Sequence, residues 1–200
     1  MANVIKLRKG LDVNLKGKAA KEEFQVKKPA VYALMPDDFT GMKPKVVVKE
    51  NDVVKVGDAL FVDKNHPEIK FVSPVSGRVT MVERGDRRKV LSVRVEADAE
   101  LQYVDFGKKS AGQMTAQEVK ALLLESGLFA FFKQRPYDVT ANPTDTPKAI
   151  FVSAFNSMPL AADFEYVLRG READFQAGLD ALAKMAKTYL GVSSKQTATA

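Results

Sequence analysis

One short segment combines aromatic rings with cationic side chains. Phe131 and Phe132 directly precede Lys133 and, two residues further, Arg135. Aromatic rings offer a stacking surface, and cationic groups donate hydrogen bonds to carbonyl oxygens, which together suit a quinone headgroup. Because two adjacent phenylalanines on one regular element rarely both face inward, we expect this segment to contribute to a quinone-facing or subunit-facing pocket. The alternative is that the phenylalanines belong to the core and the cations are solvated.

Two further clusters could mediate contacts. An apolar cluster lies in an otherwise basic region and consists of Tyr32, Leu34, Met35 and Phe39. It could line the same pocket or dock on a neighbouring protein of an assembly, although core packing is the simpler interpretation. A basic cluster surrounds Gly85 in a predicted tight turn and consists of Arg84, Arg87 and Arg88. A solvated hairpin tip is favoured over a docking site for an acidic partner.

The residue types exclude several kinds of active site. The chain has no Cys, so disulfides, thiolate metal ligands and thiol nucleophiles are excluded. Its single histidine, His66, argues against a Ser-His-Asp centre and against a multi-histidine metal site. We therefore predict no catalytic residue and no metal site, and interpret His66, which precedes Pro67, as a turn residue.

Residues 41–98 carry the pattern of a small β-domain. Runs of β-branched residues, such as Val46-Val47-Val48, alternate with turn residues, such as Gly57-Asp58 and Ser76-Gly77. Strands this short with turns this frequent are typical of a barrel or sandwich. The preceding residues 1–40 show neither helical nor strand periodicity, and are predicted to be an irregular basic segment.

Residues 99–200 are predicted to begin an α/β domain, which makes the fold class mixed α and β. Thr115-Ala-Gln-Glu118 has the sequence of a capping box, so a helix should start there and stop at Gly127. The apolar run 149–155 has the length of a buried strand. A later amphipathic helix is predicted from the spacing of Phe175, Leu179, Leu182, Ala186 and Tyr189. Too few strands follow to close a parallel sheet, so either a partner completes it or the chain is a fragment.

The composition, 46% hydrophobic and 28% charged, is that of an ordinary globular protein. Of the net charge of +6, a balance of +5 lies in residues 1–50, which hold eleven Lys and Arg against six Asp and Glu. This basic region is either a solvated surface or a face toward a protein partner or a membrane, and no nucleic-acid recognition motif accompanies it. The chain shows no signal peptide and no apolar stretch of bilayer-spanning length, so we expect it in the cytoplasm.

The β-domain resembles the biotinyl/lipoyl carrier family. The matching motifs are Val-Lys-Val-Gly57-Asp58-Ala-Leu-Phe and Ser73-Pro74-Val-Ser-Gly77-Arg-Val. In that family the two turns bracket a hairpin that presents an acceptor lysine, and alignment on Ser73-Pro74 places His66 at the acceptor position. The nearest lysines are Lys64 and Lys70. We therefore expect a carrier-like barrel-sandwich without a covalent prosthetic group.

Nearly the whole chain, from about residue 4 to about residue 190, resembles the A-subunit family of bacterial sodium-translocating NADH:quinone oxidoreductases. Besides the barrel motifs, the resemblance is carried by Ile5-Lys-Leu-Arg-Lys-Gly-Leu-Asp12 and, further along, by residues 125–136 and 146–163. Members of that family are longer, so this chain is expected to be the N-terminal part of such a protein.

The resemblance implies a peripheral subunit, without a transmembrane segment of its own, on the cytoplasmic face of the inner membrane. The complex passes electrons from NADH to quinone and exports sodium, and NADH, flavins, an iron-sulfur centre and quinone are expected in the whole assembly. The α/β domain would be related to the flavin-binding subunit of complex I. This chain would then be one subunit of an enzyme, contributing quinone-side structure and subunit docking without a complete catalytic centre or redox cofactor.

The segment that matches the nucleotide-binding loop of those relatives argues against FMN or NADH on this chain. There the loop is rich in glycine, which lets the backbone approach phosphates closely. Here no glycine lies between Gly127 and Pro136, and the junction at residues 155–159 also lacks G-x-G-x-x-G. The alternatives are an NADH- and FMN-binding electron-input subunit of the Rnf type, and a free-standing carrier domain with an unusual acceptor.

Overall fold

The computed structural model describes residues 15–16, 20–107, 109–193 and 196 of the 200-residue chain. Strands in the first half of the described chain form two antiparallel sheets. They are Val31–Leu34 (β1), Pro44–Val46 (β2), Val53–Val54 (β3), Ala59–Asp63 (β4), Lys70–Val72 (β5), Gly77–Arg84 (β6) and Val90–Ala97 (β7). The first sheet has the order β1-β7-β6-β3 and the second has the order β2-β4-β5.

Apolar residues from both sheets meet in one core. Leu60, Phe61, Val79 and Val93 are fully buried, and burial of a side chain of this size stabilises a fold by about 1.5–3 kcal/mol. Phe61 stacks on Phe71 with the ring centroids 5.0 Å apart. The predicted barrel-sandwich architecture is confirmed.

The β-domain begins earlier than residue 41. Strand β1 pairs with β7, with Val31 opposite Glu96 and Leu34 opposite Val93, and a 3-10 helix, Pro36–Asp38, follows it. The prediction that residues 1–40 are irregular is therefore wrong for residues 31–38, and residues 1–14 and 17–19 lie outside the described residues. A strand of four residues carries little periodicity, and pairing with the distant strand β7 stabilises it instead.

The second half combines helices with short strands. These elements are Ala116–Glu125 (α1), Lys133–Gln134 (β8), Val139–Thr140 (β9), Ile150–Ser153 (β10), Phe164–Leu168 (α2), Glu172–Met185 (α3) and Thr188–Gly191 (β11). The capping box is confirmed, because the Thr115 hydroxyl accepts from the Glu118 N–H while the Glu118 carboxylate accepts from the Thr115 N–H.

Strands β10 and β11 pair in parallel, with α2 and α3 forming the connection between them, which confirms the predicted α/β unit. The last helix is shorter than predicted. It ends at Met185, so Ala186 is its C-cap and Tyr189 lies in β11 opposite Phe151. Apolar residues continue at helical spacing beyond the end of the helix. They form a strand there, because Tyr189 and Leu190 also suit a strand. No helix among the described residues is long and apolar enough to cross a membrane.

A short 3-10 helix, Leu128–Phe131, packs the second half of the molecule against the β-domain. Phe129 and Ala130 are buried and belong to the same core cluster as the sheet residues. Gly127, just before them, has a φ of +76°, and a Cβ placed on it would lie 2.6 Å from Val72 Cγ1. The two halves therefore share one continuous core.

We predict that Gly127→Ala lowers the free energy of unfolding by about 2–4 kcal/mol. A left-handed φ costs a residue with a Cβ about 1–2 kcal/mol, and overpacking against Val72 costs about 1–3 kcal/mol. Urea unfolding followed by circular dichroism measures the change.

The matched control is Gly178→Ala in α3, where an added Cβ meets no atom within 4 Å. This substitution should raise the free energy of unfolding by about 0.5–1 kcal/mol, because Ala is the better helix former. Equal unfolding midpoints for the two variants would contradict the tight contact at Gly127.

We also predict that the start of α1 makes a pH-dependent contribution to the free energy of unfolding. A hydrogen bond from the Lys109 ammonium and two more from Thr115 lower the pKa of Glu118 from 4.5 to about 2. The folded state therefore binds this proton less readily than the unfolded state. The resulting stabilisation is complete above pH 4.5 and is lost as the pH falls toward about 2.

Replacing the carboxyl group should remove that part of the pH dependence. The difference in urea midpoint between wild type and Glu118→Gln should shrink steadily as the pH is lowered through this window. Glu125→Gln, at the other end of the same helix, is the control. A difference between wild type and Glu118→Gln that does not change with pH would refute the assignment.

Candidate functional site

The four predicted site residues lie on consecutive elements that follow Gly127 along the chain. Phe131 ends the 3-10 helix, Phe132 connects it to β8, Lys133 lies in β8, and Arg135 lies in the turn that leads to β9. The tight helix and the following extended strand turn successive side chains in different directions. The four side chains therefore do not share one face.

Phe131 lies at the outer end of a series of aromatic rings. It is 70% exposed, and its ring meets that of Phe39 edge to face with the centroids 6.1 Å apart. Phe39 in turn contacts Phe71 at 4.5 Å and Phe61 at 6.5 Å, and both of these rings are buried in the core. We call Phe131, Phe39, Phe71 and Phe61 the aromatic series. It connects the surface to the core across the boundary between the two halves.

Phe132 turns the other way. It stacks on Phe129, with the centroids 5.4 Å apart, and lines an open apolar groove of about 370 Å³ between α1, β10 and α3. The other lining residues are Val119, Leu123, Val152, Asp174, Phe175, Gly178, Leu179, Ala181 and Leu182. The sequence signal for this groove was present, since Leu179 and Leu182 belong to the amphipathic pattern, but the pattern does not show that the helix leaves a gap.

Lys133 and Arg135 are exposed on the β8–β9 hairpin. Arg135 Nη1 lies 3.5 Å from Asp138 Oδ1, an exposed contact that contributes little stability. Lys133 forms no ion pair within the part of the chain that the structure describes. The hairpin is attached to the β-domain because the Thr140 N–H donates to the Thr40 carbonyl at 2.9 Å.

The structure joins part of the predicted site to the apolar cluster near residue 35. Phe39 contacts Phe131, whereas Tyr32 and Leu34 pack against the core and Met35 is exposed. The sequence left open that this cluster lines the same pocket as Phe131, and the structure brings only Phe39 of the four into ring contact with Phe131. Arg84, Arg87 and Arg88 lie at the exposed β6–β7 hairpin tip, as predicted.

The two segments that match nucleotide-binding loops differ in their surroundings. After Gly127, the buried Phe129 and Ala130 fill the space next to the backbone, and Gly127 itself faces Val72. At the end of β10, the Met158 N–H donates to the Asn156 side chain at 2.9 Å. The first segment thus packs into the core, whereas the second is an exposed loop with a local hydrogen bond.

The turn between β4 and β5 carries His66, the residue that the resemblance to carrier domains places at the acceptor position. His66 lies in the turn, where its carbonyl accepts from the Ile69 N–H at 2.9 Å and its Nδ1 is 3.7 Å from Glu68 Oε1. Lys64 still follows the strand, since its N–H donates to the Lys43 carbonyl at 2.7 Å. No group of three or more potential metal-ligating side chains occurs among the described residues.

Two domain models of one family match most of the chain. The model described as the NqrA N-terminal barrel-sandwich hybrid domain matches residues 5–98. The model described as the NqrA second alpha/beta domain matches residues 114–200. These matches follow the same order as the β-domain and the α/β unit in the structure.

Three similar curated proteins are each named as the A subunit of a Na(+)-translocating NADH-quinone reductase. The one from Pseudomonas aeruginosa (strain UCBPP-PA14) is 36% identical over 191 residues, which cover 94% of this chain and 42% of that protein. The one from Serratia proteamaculans is 37% identical over 186 residues (91% and 41%). The one from Actinobacillus pleuropneumoniae serotype 5b is 36% identical over 184 residues (91% and 41%). The chain thus spans about two fifths of the length of the curated relatives it matches.

We predict that the β4–β5 hairpin stays unmodified when the chain is co-expressed with a biotin ligase or a lipoate ligase. Lys64 lies directly after β4, where its N–H donates to the Lys43 carbonyl, and His66 occupies the turn, so we expect no amine at the position of the acceptor. Intact-mass spectrometry measures the outcome, with an authentic carrier domain expressed in the same cells as the control. A biotinyl or lipoyl adduct on Lys64 would show that the hairpin is a carrier site.

Proposed function

Because the chain belongs to the NqrA family, we propose that it acts within the A subunit of a Na+-translocating NADH-quinone reductase. The observation that carries this proposal is the agreement of both halves of the chain, in order, with the two NqrA domains. Its role is to contribute structure and subunit contacts on the quinone side. The complex, and not this chain alone, carries out the reaction.

The surface around Phe131 supports a contact with quinone. A quinone headgroup is a flat ring with carbonyl oxygens, and the exposed ring of Phe131 is held in place by Phe39. Lys133 and Arg135 supply hydrogen-bond donors on the adjoining hairpin, and a stacking or hydrogen-bonding contact contributes about 1 kcal/mol. Lys133 is the better donor, since Arg135 lies close to Asp138.

Phe132 has a supporting part in this proposal. Its stacking on Phe129 and its position in the apolar groove hold the segment between the 3-10 helix and β8. That arrangement keeps Phe131 directed outward. The same surface suits a neighbouring protein of the complex equally well, since exposed aromatic residues beside cations are typical of protein interfaces.

We place the redox cofactors on other parts of the complex. The buried side chains of Phe129 and Ala130 and the close approach of Gly127 to Val72 support this placement, because a phosphate of FMN or NADH needs backbone free of such neighbours. NADH, flavins and an iron-sulfur centre would then be held elsewhere. The family assignment also supports a peripheral position on the cytoplasmic face of the membrane.

Purification of the tagged protein from its own host tests the assignment. It should co-purify with other subunits and with a NADH-quinone reductase activity that depends on Na+. In that complex, Phe131→Ala should raise the KM for quinone about five-fold, which is the loss of about 1 kcal/mol of stacking. Arg135→Ala should have an equal or smaller effect.

Phe151→Ala is the matched control, because Phe151 is also strongly exposed but stacks on Tyr189 at the parallel strand pair. It should leave the KM for quinone unchanged. If Phe131→Ala and Arg135→Ala alter neither quinone reduction nor assembly of the complex, the pocket around Phe131 is ruled out. Purification without the reductase activity would reject the assignment to the complex.

A further inference from the structure

The second sheet of the β-domain presents a row of lysines to solvent. In residues 43–49 the side chains alternate, and Lys43, Lys45, Val47 and Lys49 are exposed. The alternate residues Met42, Val46 and Val48 pack against the core. This alternation is that of an extended strand with one buried and one exposed face.

The strand register adds two more lysines to the same face. Lys45 pairs with Val62, and Val62 pairs with Lys70 on the next strand. Directly opposed residues in a sheet project to the same side, and Lys64 follows Val62 by two residues. Val62, between Lys45 and Lys70 in the register, is only 8% exposed. We call Lys43, Lys45, Lys49, Lys64 and Lys70 the lysine platform.

The platform lysines have no carboxylate partner at ion-pair distance within the described residues. None of its five lysines forms an ion pair there. The nearby acidic groups have other partners: Asp63 is buried and accepts from the Lys43 and Asn65 N–H groups, and Asp52 accepts from the backbone N–H of Lys49. Like charges on neighbouring strands repel, so an arrangement of this kind favours an anionic partner.

We propose that the lysine platform docks on an anionic lipid surface. Interfaces with proteins are centred on aromatic residues and arginine and are poor in lysine, whereas the platform has only Val47 as an exposed apolar side chain. A nucleic-acid site would offer aromatic rings for stacking on bases, and the platform has none. Flexible, strongly hydrated ammonium groups on one exposed face match the diffuse negative field of lipid headgroups. This inference goes beyond the proposed function and does not depend on it.

Vesicle sedimentation with the 200-residue chain tests the proposal. The chain should bind phosphatidylcholine vesicles that contain phosphatidylglycerol, should not bind pure phosphatidylcholine vesicles, and should be released by added salt. Substituting Lys43, Lys45 and Lys64 by Gln should weaken binding about five-fold per lysine, or about 100-fold together. Substituting the same three residues by Arg should preserve binding, which separates loss of charge from loss of fold.

The matched control removes three charges from another exposed site. Substituting Arg84, Arg87 and Arg88 by Gln at the β6–β7 hairpin should change vesicle binding less than two-fold, since these residues belong to the other sheet. Equal weakening by the two triple variants would overturn the proposal, because net charge alone would then explain binding. Tighter binding to double-stranded DNA than to the anionic vesicles, or no vesicle binding at all, would overturn it as well.

Discussion

At Gly127 the backbone of the α/β half lies so close to Val72 that a Cβ there would be 2.6 Å from the Val72 side chain. Only glycine combines this approach with a φ of +76° at little cost. The contact places the 3-10 helix that follows against the β-domain, so that Phe129 and Ala130 complete the core there. The orientation of every later residue in the segment depends on this one approach.

The same contact explains why a loop without further glycines suits this chain. A phosphate-binding loop needs exposed N–H groups and a backbone free of side chains. Here the chain turns back into the protein core. Large apolar side chains stabilise such a core, whereas a run of glycines would bury little apolar surface. Phe131 is directed outward because Phe129 and Ala130 occupy the inward positions. Its exposure is thus a consequence of the packing next to Gly127, which gives the aromatic series a fixed position at the surface.

Local signals in the sequence predicted the local structure well. The capping box at Thr115 and Glu118 involves residues three apart, and the turns that separate strands in the β-domain depend on glycine, proline and aspartate within a few residues. Features that depend on distant segments were missed. Strand β1 exists through its pairing with β7, and Tyr189 lies in a strand because β10 offers it a parallel partner. For the candidate site, the sequence placed Phe131 and Phe39 in two separate clusters, and the contact between their rings emerged only from the fold.

Strand β5 brings these constraints together in three residues. Lys70 lies at one edge of the lysine platform, Phe71 belongs to the aromatic series, and Val72 contacts Gly127. Successive side chains of a strand point to opposite faces, so Phe71 enters the core while Lys70 and Val72 lie on the other face. That outer face therefore carries the edge of the lysine platform and, two residues further along, the close approach of the α/β half at Gly127. Because the core holds β5 through Phe71 and Phe61, both features keep a fixed position on the β-domain.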